Sequence, residues 1–167
     1  VLVANEEVVL VSETAGKVVK IAFEEGALVK KGTLLVKVDD SDLQAQLARA
    51  EFQKELLAAK LERQRILLKR ESISVEEFQQ LETEYNMNLA DIELLKVRIA
   101  RTEIRAPFNG RMGFRFVSEG SYLQSSTKVS SIVDNSYLKI EFSIPEKYID
   151  LPLVGRKLTF QPSGMEY

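Results

Sequence analysis

The side chains able to do chemistry in this chain are carboxylates, hydroxyls, lysines and arginines, because its 167 residues include neither histidine nor cysteine. That composition removes His-based triads, thiol nucleophiles and the usual zinc ligand sets. Asp40 and Asp42, with Glu51 in the twelfth place, have the outer positions of a calcium loop, but Ala45 stands where the sharp turn requires glycine. Gly110 and Gly113 lack the further glycines and the following helix of a phosphate loop. No carboxylate pair is set apart by its context for acid–base work. We therefore assign no catalytic, cofactor or metal residues and expect a non-enzymatic role.

The elements that carry these residues are those of an ordinary chain of one to two domains, 45% hydrophobic and 29% charged. A net charge of −2 argues against a nucleic-acid surface, which needs clustered Lys and Arg. No apolar run approaches the roughly 18 residues of a membrane-spanning helix. The absence of cysteine is compatible with an oxidising compartment. With Val1 in place of Met and no charged-then-apolar leader, the chain reads as a fragment.

Two segments repeat. At an offset of 94 positions Gly16 falls on Gly110, Val18 on Met112, Glu25 on Glu119, Gly26 on Gly120, Leu35 on Val129, Val38 on Ile132 and Asp40 on Asp134. Each copy carries a glycine, a β-rich run, a second glycine ten residues on and another β-rich run. The glycines Gly16, Gly26, Gly110 and Gly120 suit turns with positive φ. Val18–Phe23 and Leu34–Val38 have strand composition. Neither half buries a core alone; two halves face to face make a small sandwich.

Between the halves the period becomes helical. Leu43, Leu47, Ala50, Lys54, Leu57, Leu61, Gln64 and Leu68 alternate spacings of four and three, the seam of a coiled coil. Phe78, Leu81, Tyr85, Asn88, Ile92, Leu95, Ile99 and Thr102 form a second seam. A helix of about 29 residues at ~1.5 Å per residue is on the order of 44 Å long, and the two must fold back on each other. The turnaround, near 70–74, is marked by Ser74 as N-cap, Glu77 closing a capping box, and Ile73 and Phe78 at the positions of a hydrophobic staple. Arg63, Arg65, Lys69 and Arg70 before it, and Glu76 and Glu77 after it, oppose the helix dipoles favourably. Ser41 with Gln44 reads as the box that opens the first helix.

These residues resemble a family. Ser12-Glu13-Thr14-Ala15-Gly16-Lys17-Val18, Glu25-Gly26-Ala27-Leu28-Val29-Lys30-Lys31-Gly32-Thr33-Leu34-Leu35 and Ile104-Arg105-Ala106-Pro107-Phe108-Asn109-Gly110-Arg111 are similar to the two lipoyl-like half-motifs of HlyD-type membrane fusion proteins, the periplasmic adaptors of bacterial tripartite efflux and secretion systems. The resemblance implies an α+β fold: a lipoyl-like β-sandwich (8–38 and 103–134) split by an antiparallel α-helical hairpin (39–102). A barrel-linking strand (1–7) and the start of a β-barrel domain (135–167) complete it. Tyr137–Phe142 alternates as a half-buried strand, Arg156–Phe160 offers another, and Ile144-Pro145-Glu146 resembles the barrel's opening.

The resemblance also implies a function. In adaptors that dock on TolC-type outer-membrane channels, an arginine, a leucine four later and a serine seven after that lie near the hairpin tip; Arg63, Leu67 and Ser74 have that spacing. Capping alone explains Ser74, Leu67 beside the seam could pack inside, and Arg63 suits the dipole as a solvated charge. The partners implied are an outer-membrane channel, an inner-membrane transporter and further copies in a trimeric or hexameric ring, with no nucleic acid and no cofactor. The place implied is the periplasm, with inner-membrane anchoring through a segment outside this sequence. The resistance-nodulation-division (RND) class of pump comes first, an ABC-linked system second. A lipoyl or biotinyl carrier is disfavoured, since residues 39–101 replace the turn that would hold the modified lysine and Lys37 belongs to a strand run. A coiled-coil oligomerisation scaffold without a transport role is the alternative of another class. Lys54, Gln64 and Asn88 on the seams weaken the hairpin's own packing and could specify register or a further partner.

Overall fold

The computed structural model describes residues 1–141, Ser143 and Gly155. The expected strand at Arg156–Phe160, the Ile144-Pro145-Glu146 string and the barrel beyond Ser143 lie outside the described residues. The elements run β1 (Leu2–Val11), β2 (Gly16–Ile21), β3 (Leu28–Val29), β4 (Leu34–Val38), α1 (Ser41–Lys69), α2 (Val75–Ala100), β5 (Glu103–Arg105), β6 (Gly110–Met112), β7 (Tyr122–Leu123) and β8 (Lys128–Ile140).

Among the described residues, eight strands form two four-stranded sheets of order β1-β8-β6-β3 and β5-β4-β2-β7. The paired strands are antiparallel. The 94-residue offset carries one sheet onto the other strand by strand: β1 onto β5, β8 onto β4, β6 onto β2 and β3 onto β7. The sandwich is therefore not one half laid on the other; each sheet takes two strands from each half. Backbone bonds obey the same relation. Gly26 N–H donates to Met112 O (3.0 Å) as Gly120 N–H donates to Val18 O (2.8 Å), and Gly32 to Ala106 (2.8 Å) as Ser126 to Ser12 (2.7 Å). The repeated glutamate has a role in this exchange, because Glu25 accepts from Arg115 N–H (2.7 Å) and Glu119 from Ile21 N–H (2.8 Å). Each half thus closes backbone donors of the other, so neither is complete alone. Leu35, Val36, Val38 and Val18 of the first half and Met112, Leu123, Val129 and Ile132 of the second fill the one core.

The glycines divide into two kinds. Gly26 and Gly120 hold φ of 75° and 84°, as turns of positive φ require. Gly16 and Gly110 correct the expectation of a turn: they lie in β2 and β6 with no turn of positive φ, where a Cβ would come within 2.5 Å of Val38 Cγ1 and within 2.7 Å of Val133 O respectively. A close approach between β6 and β8 excludes a side chain at Gly110.

Two further expectations are corrected. The cap of α1 is Asp40 rather than Ser41; Ser41 is already helical, and the Asp39 carboxylate accepts from its N–H (3.1 Å) and hydroxyl (2.8 Å). The run from Tyr137 is not a half-buried strand but the outer end of β8, paired with β1 through Leu2–Ile140, and Tyr137 is 67% exposed. Among the described residues no second layer covers it, so its alternation has no core to face.

Candidate functional site

Both seams close against each other. Every residue of the two predicted seams from Leu43 to Ile99 is at least half-buried, with Leu57, Leu81, Ile92 and Leu95 buried, and Thr102 is buried just past the end of α2. The apolar faces are therefore spent inside the hairpin, and what the tip leaves exposed is surplus to folding.

The turn is built from two completed caps. After α1, Glu71 N–H donates to Leu68 O and Ser72 N–H to Leu67 O, both 3.0 Å, the bonding of a Schellman motif with Glu71 at φ 54° in the left-handed region. The apolar contact that often accompanies this motif is absent from the sequence, because the residue that would provide it is Ser72. Before α2, Glu77 N–H donates to the Ser74 hydroxyl oxygen (3.1 Å) and Ser74 N–H to the Glu77 carboxylate (3.0 Å), a reciprocal capping box. Ile73 and Phe78, at the staple positions, are half-buried.

Arg63 and Leu67 are exposed and one turn apart on α1, and Ser74 is exposed at the start of α2 with its hydroxyl engaged in the cap. Leu67 is 40% exposed, which rules out the seam-filling explanation. Around it the structure adds two residues that the sequence reading missed, Ile66 (47% exposed) and Val75 (60% exposed). The signal for both was available: each is a large apolar residue off the seam register. The tip thus combines three exposed aliphatic side chains with the positive charges Arg63, Lys69 and Arg70. That composition suits contact with another protein rather than bond-making.

A second exposed apolar set runs along the arm: Phe52, Ala59 and Ile66 on the side of α1 away from the seam, with Leu56 beside them and Met87, Leu94 and Val97 on α2. No helix of the described residues is long and apolar enough to cross a membrane. Nor do the described residues hold a group of three or more Asp and Glu able to bind a metal ion.

A split β-sandwich with a helical arm inserted between its halves defines the class of adaptor proteins built on a barrel-sandwich hybrid. The RND membrane fusion protein barrel-sandwich hybrid domain matches residues 6–135, and the chain belongs to that family of RND-type periplasmic adaptors. An uncharacterised protein of Haemophilus influenzae is 31% identical over 155 residues, covering 93% of this chain and 41% of that protein. The multidrug resistance protein MdtA of Photorhabdus laumondii is 28% identical over 162 residues, covering 87% of this chain and 40% of its own length. The chain therefore spans about two fifths of the curated relatives it matches. In fold it is similar to a chimeric protein of MacA carrying the α-hairpin domain of Pseudomonas aeruginosa MexA, with a TM-score of 0.75 at 22% identity, covering 80% of this chain and 49% of that one. The α+β class expected from sequence, sandwich and hairpin together, is the observed one.

Proposed function

We propose that this chain is the sandwich-and-arm portion of a periplasmic adaptor that links an inner-membrane transporter to a TolC-type outer-membrane channel in a tripartite efflux pump. The hairpin is the reaching arm, and Arg63, Leu67 and Ser74 meet the channel, with Ile66 and Val75 widening the contact. One observation carries the reading most directly: the tip keeps Leu67, Ile66 and Val75 in solvent although its caps already satisfy the local backbone donors. Exposed aliphatic residues at such a place cost solubility and contribute nothing to the hairpin. A helix that lays exposed apolar side chains into a groove of its partner is a recurring mode of recognition. The relative from Photorhabdus laumondii bears a multidrug resistance name, which supports efflux as the process, and the RND family match supports an RND pump as the transporter.

The exposed set along the arm, Phe52, Leu56, Met87 and Leu94, supports lateral packing of arms against further copies, and the trimeric or hexameric ring is what the family resemblance implies. A photo-crosslinking residue at Leu67 tests the proposal, with Lys60 on the exposed stem as control. Channel-sized adducts from position 67 and none from position 60 are expected. If both positions capture only further copies of the chain, the arm is an oligomerisation scaffold and docking is refuted.

A further inference from the structure

Where the arm leaves the sandwich, one ammonium group joins four elements. Lys37 of β4 donates to the Asp40 carboxylate at the N-terminus of α1 (2.8 Å), to the Thr102 hydroxyl at the exit of α2 (3.1 Å) and to the Glu103 carboxylate of β5 (3.1 Å). A lysine has three N–H donors, and all three are used. Each partner is held in turn. Asp40 accepts from the Gln44 amide of α1 (2.9 Å), Thr102 donates to Ile99 O in the last turn of α2 (2.6 Å), and Glu103 accepts from Arg105 (2.7 Å). Lys37, Asp40 and Glu103 keep 18%, 14% and 25% of their side-chain surface, so the bonds are partly shielded from competing water.

The internal repeat supplies a control within the same molecule. The other half has the same strands but no inserted arm, and there the offset places Ser131 at the position of Lys37, Val8 at Thr102 and Val9 at Glu103. Of the four groups only the acid recurs there, Asp134 standing at the position of Asp40, so the sandwich forms without the lysine and its two other partners. They occur where the arm is rooted.

We infer that Lys37 is a positioning residue: with Asp40, Thr102 and Glu103 it forms a clamp that fixes the direction of the hairpin relative to the sandwich. The physical reason lies in the connections. Only short segments, Asp39–Asp40 and Arg101–Thr102, tie the arm to the strands, and backbone bonds Val38 N–H to Thr102 O (2.9 Å) and Asp39 N–H to Lys17 O (2.8 Å) hold their bases. Those bonds hold the roots together but leave the arm's tilt about them free. Hinge motion at element ends is absorbed at a few such residues, and the ammonium ties both helix ends to the sheet across that hinge. The inference stands whatever the tip contacts.

The absence of cysteine lets two spin labels be placed without background, at Lys20 on the sandwich and Lys60 on the arm. Pulsed electron paramagnetic resonance on the whole chain then reads the distance distribution. The Lys37→Met variant is expected to widen it by at least about twofold, and Lys37→Arg, which keeps a cation with several donors at the site, is expected to hold it close to the unaltered width. Leu35→Ala, which loosens the sandwich core without touching the clamp, is the control for general destabilisation and is expected to leave the width unchanged. Should Lys37→Met fail to fold, Glu103→Gln and Thr102→Val remove one arm of the clamp each. An unchanged width in the variants that fold overturns the inference, as does equal broadening in Leu35→Ala.

Discussion

Asn88→Leu is expected to stabilise the hairpin. Asn88 occupies a seam position of α2 and lines a cleft with Ala50 and Gln53 of α1, and its side-chain oxygen is buried without accepting a hydrogen bond from the protein. An unpaired buried acceptor costs about 1–3 kcal/mol, and full burial of a leucine side chain contributes about 1.5–3 kcal/mol. Asn88 is half-buried, so the lower part of each range applies and the net gain is about 2 kcal/mol, which for a chain of this size is about 4–8 °C in Tm. Urea unfolding followed by far-UV circular dichroism reads the helical signal directly. Gln64→Leu repeats the test, because the Gln64 side-chain oxygen is in the same condition. Gln64 lies at least eleven residues along α1 from Ala50 and Gln53, roughly 16 Å at ~1.5 Å per residue, so the two gains are expected to add within about 0.5 kcal/mol. A midpoint that stays put or falls in Asn88→Leu refutes the reasoning and assigns the amide a partner or a register role that outweighs its burial.

Other perturbations separate local devices from global ones. Glu71→Gly relieves a left-handed backbone at the tip and is expected to gain about 1 kcal/mol, while Ser74→Ala breaks the capping box and is expected to lose about 1 kcal/mol; thermal melts of each check both signs. Gly110→Ala is expected to cost at least about 2 kcal/mol because its methyl group meets the Val133 carbonyl, and Gly26→Ala about 1 kcal/mol because only its φ is at fault; denaturant midpoints rank the two. The pH profile follows from the clamp. Hydrogen bonding to Arg105, with Lys37 second, outweighs burial and lowers the Glu103 pKa, and for Asp40 the Lys37 and Gln44 bonds overcome the opposing effect of burial and also lower it. Burial opposes the charge of Lys37, but bonding to Asp40 and Glu103 prevails and raises its pKa. The carboxylate contributions are thus present above the ordinary carboxylate range and lost as pH falls through the lowered values. The lysine contribution is present below 10.5 and lost as pH rises through the raised value. With no histidine in the chain, acid titrations of Tm are expected to show a plateau through neutrality and a fall only below about pH 4.

The hairpin was legible because its determinants are local. A 3.5-residue period needs no knowledge of distant chain, and Leu43 to Leu68 and Phe78 to Ile99 could be placed on one seam from spacing alone. Ser74 and Glu77 are likewise three residues apart and signal their own bond. The sandwich was legible as a repeat but not as a topology. That each sheet takes strands from both halves depends on pairings such as β3 with β6, where Leu28 meets Arg111 and Val29 meets Gly110 across more than 80 positions. The cap of α1 was misassigned because Asp39, Asp40 and Ser41 are all good capping types, and only the backbone decides among them. Lys37 was invisible as a clamp for the same reason as the sheet order: Thr102 and Glu103 come to it from the far side of the arm, 65 and 66 residues away. At the tip, Arg63, Leu67 and Ser74 were named through the family resemblance, while Ile66 and Val75, apolar and off the seam register, were passed over until their exposure singled them out.

The central claim is that the tip is a docking surface. Its most direct measurement is the amount of outer-membrane channel that co-purifies from cells with an Arg63→Asp/Leu67→Ser variant, compared with the unaltered protein at equal Tm. A fall of at least about tenfold, equivalent to about 1.4 kcal/mol of lost contact, is the predicted result. Undiminished recovery of the channel would contradict it.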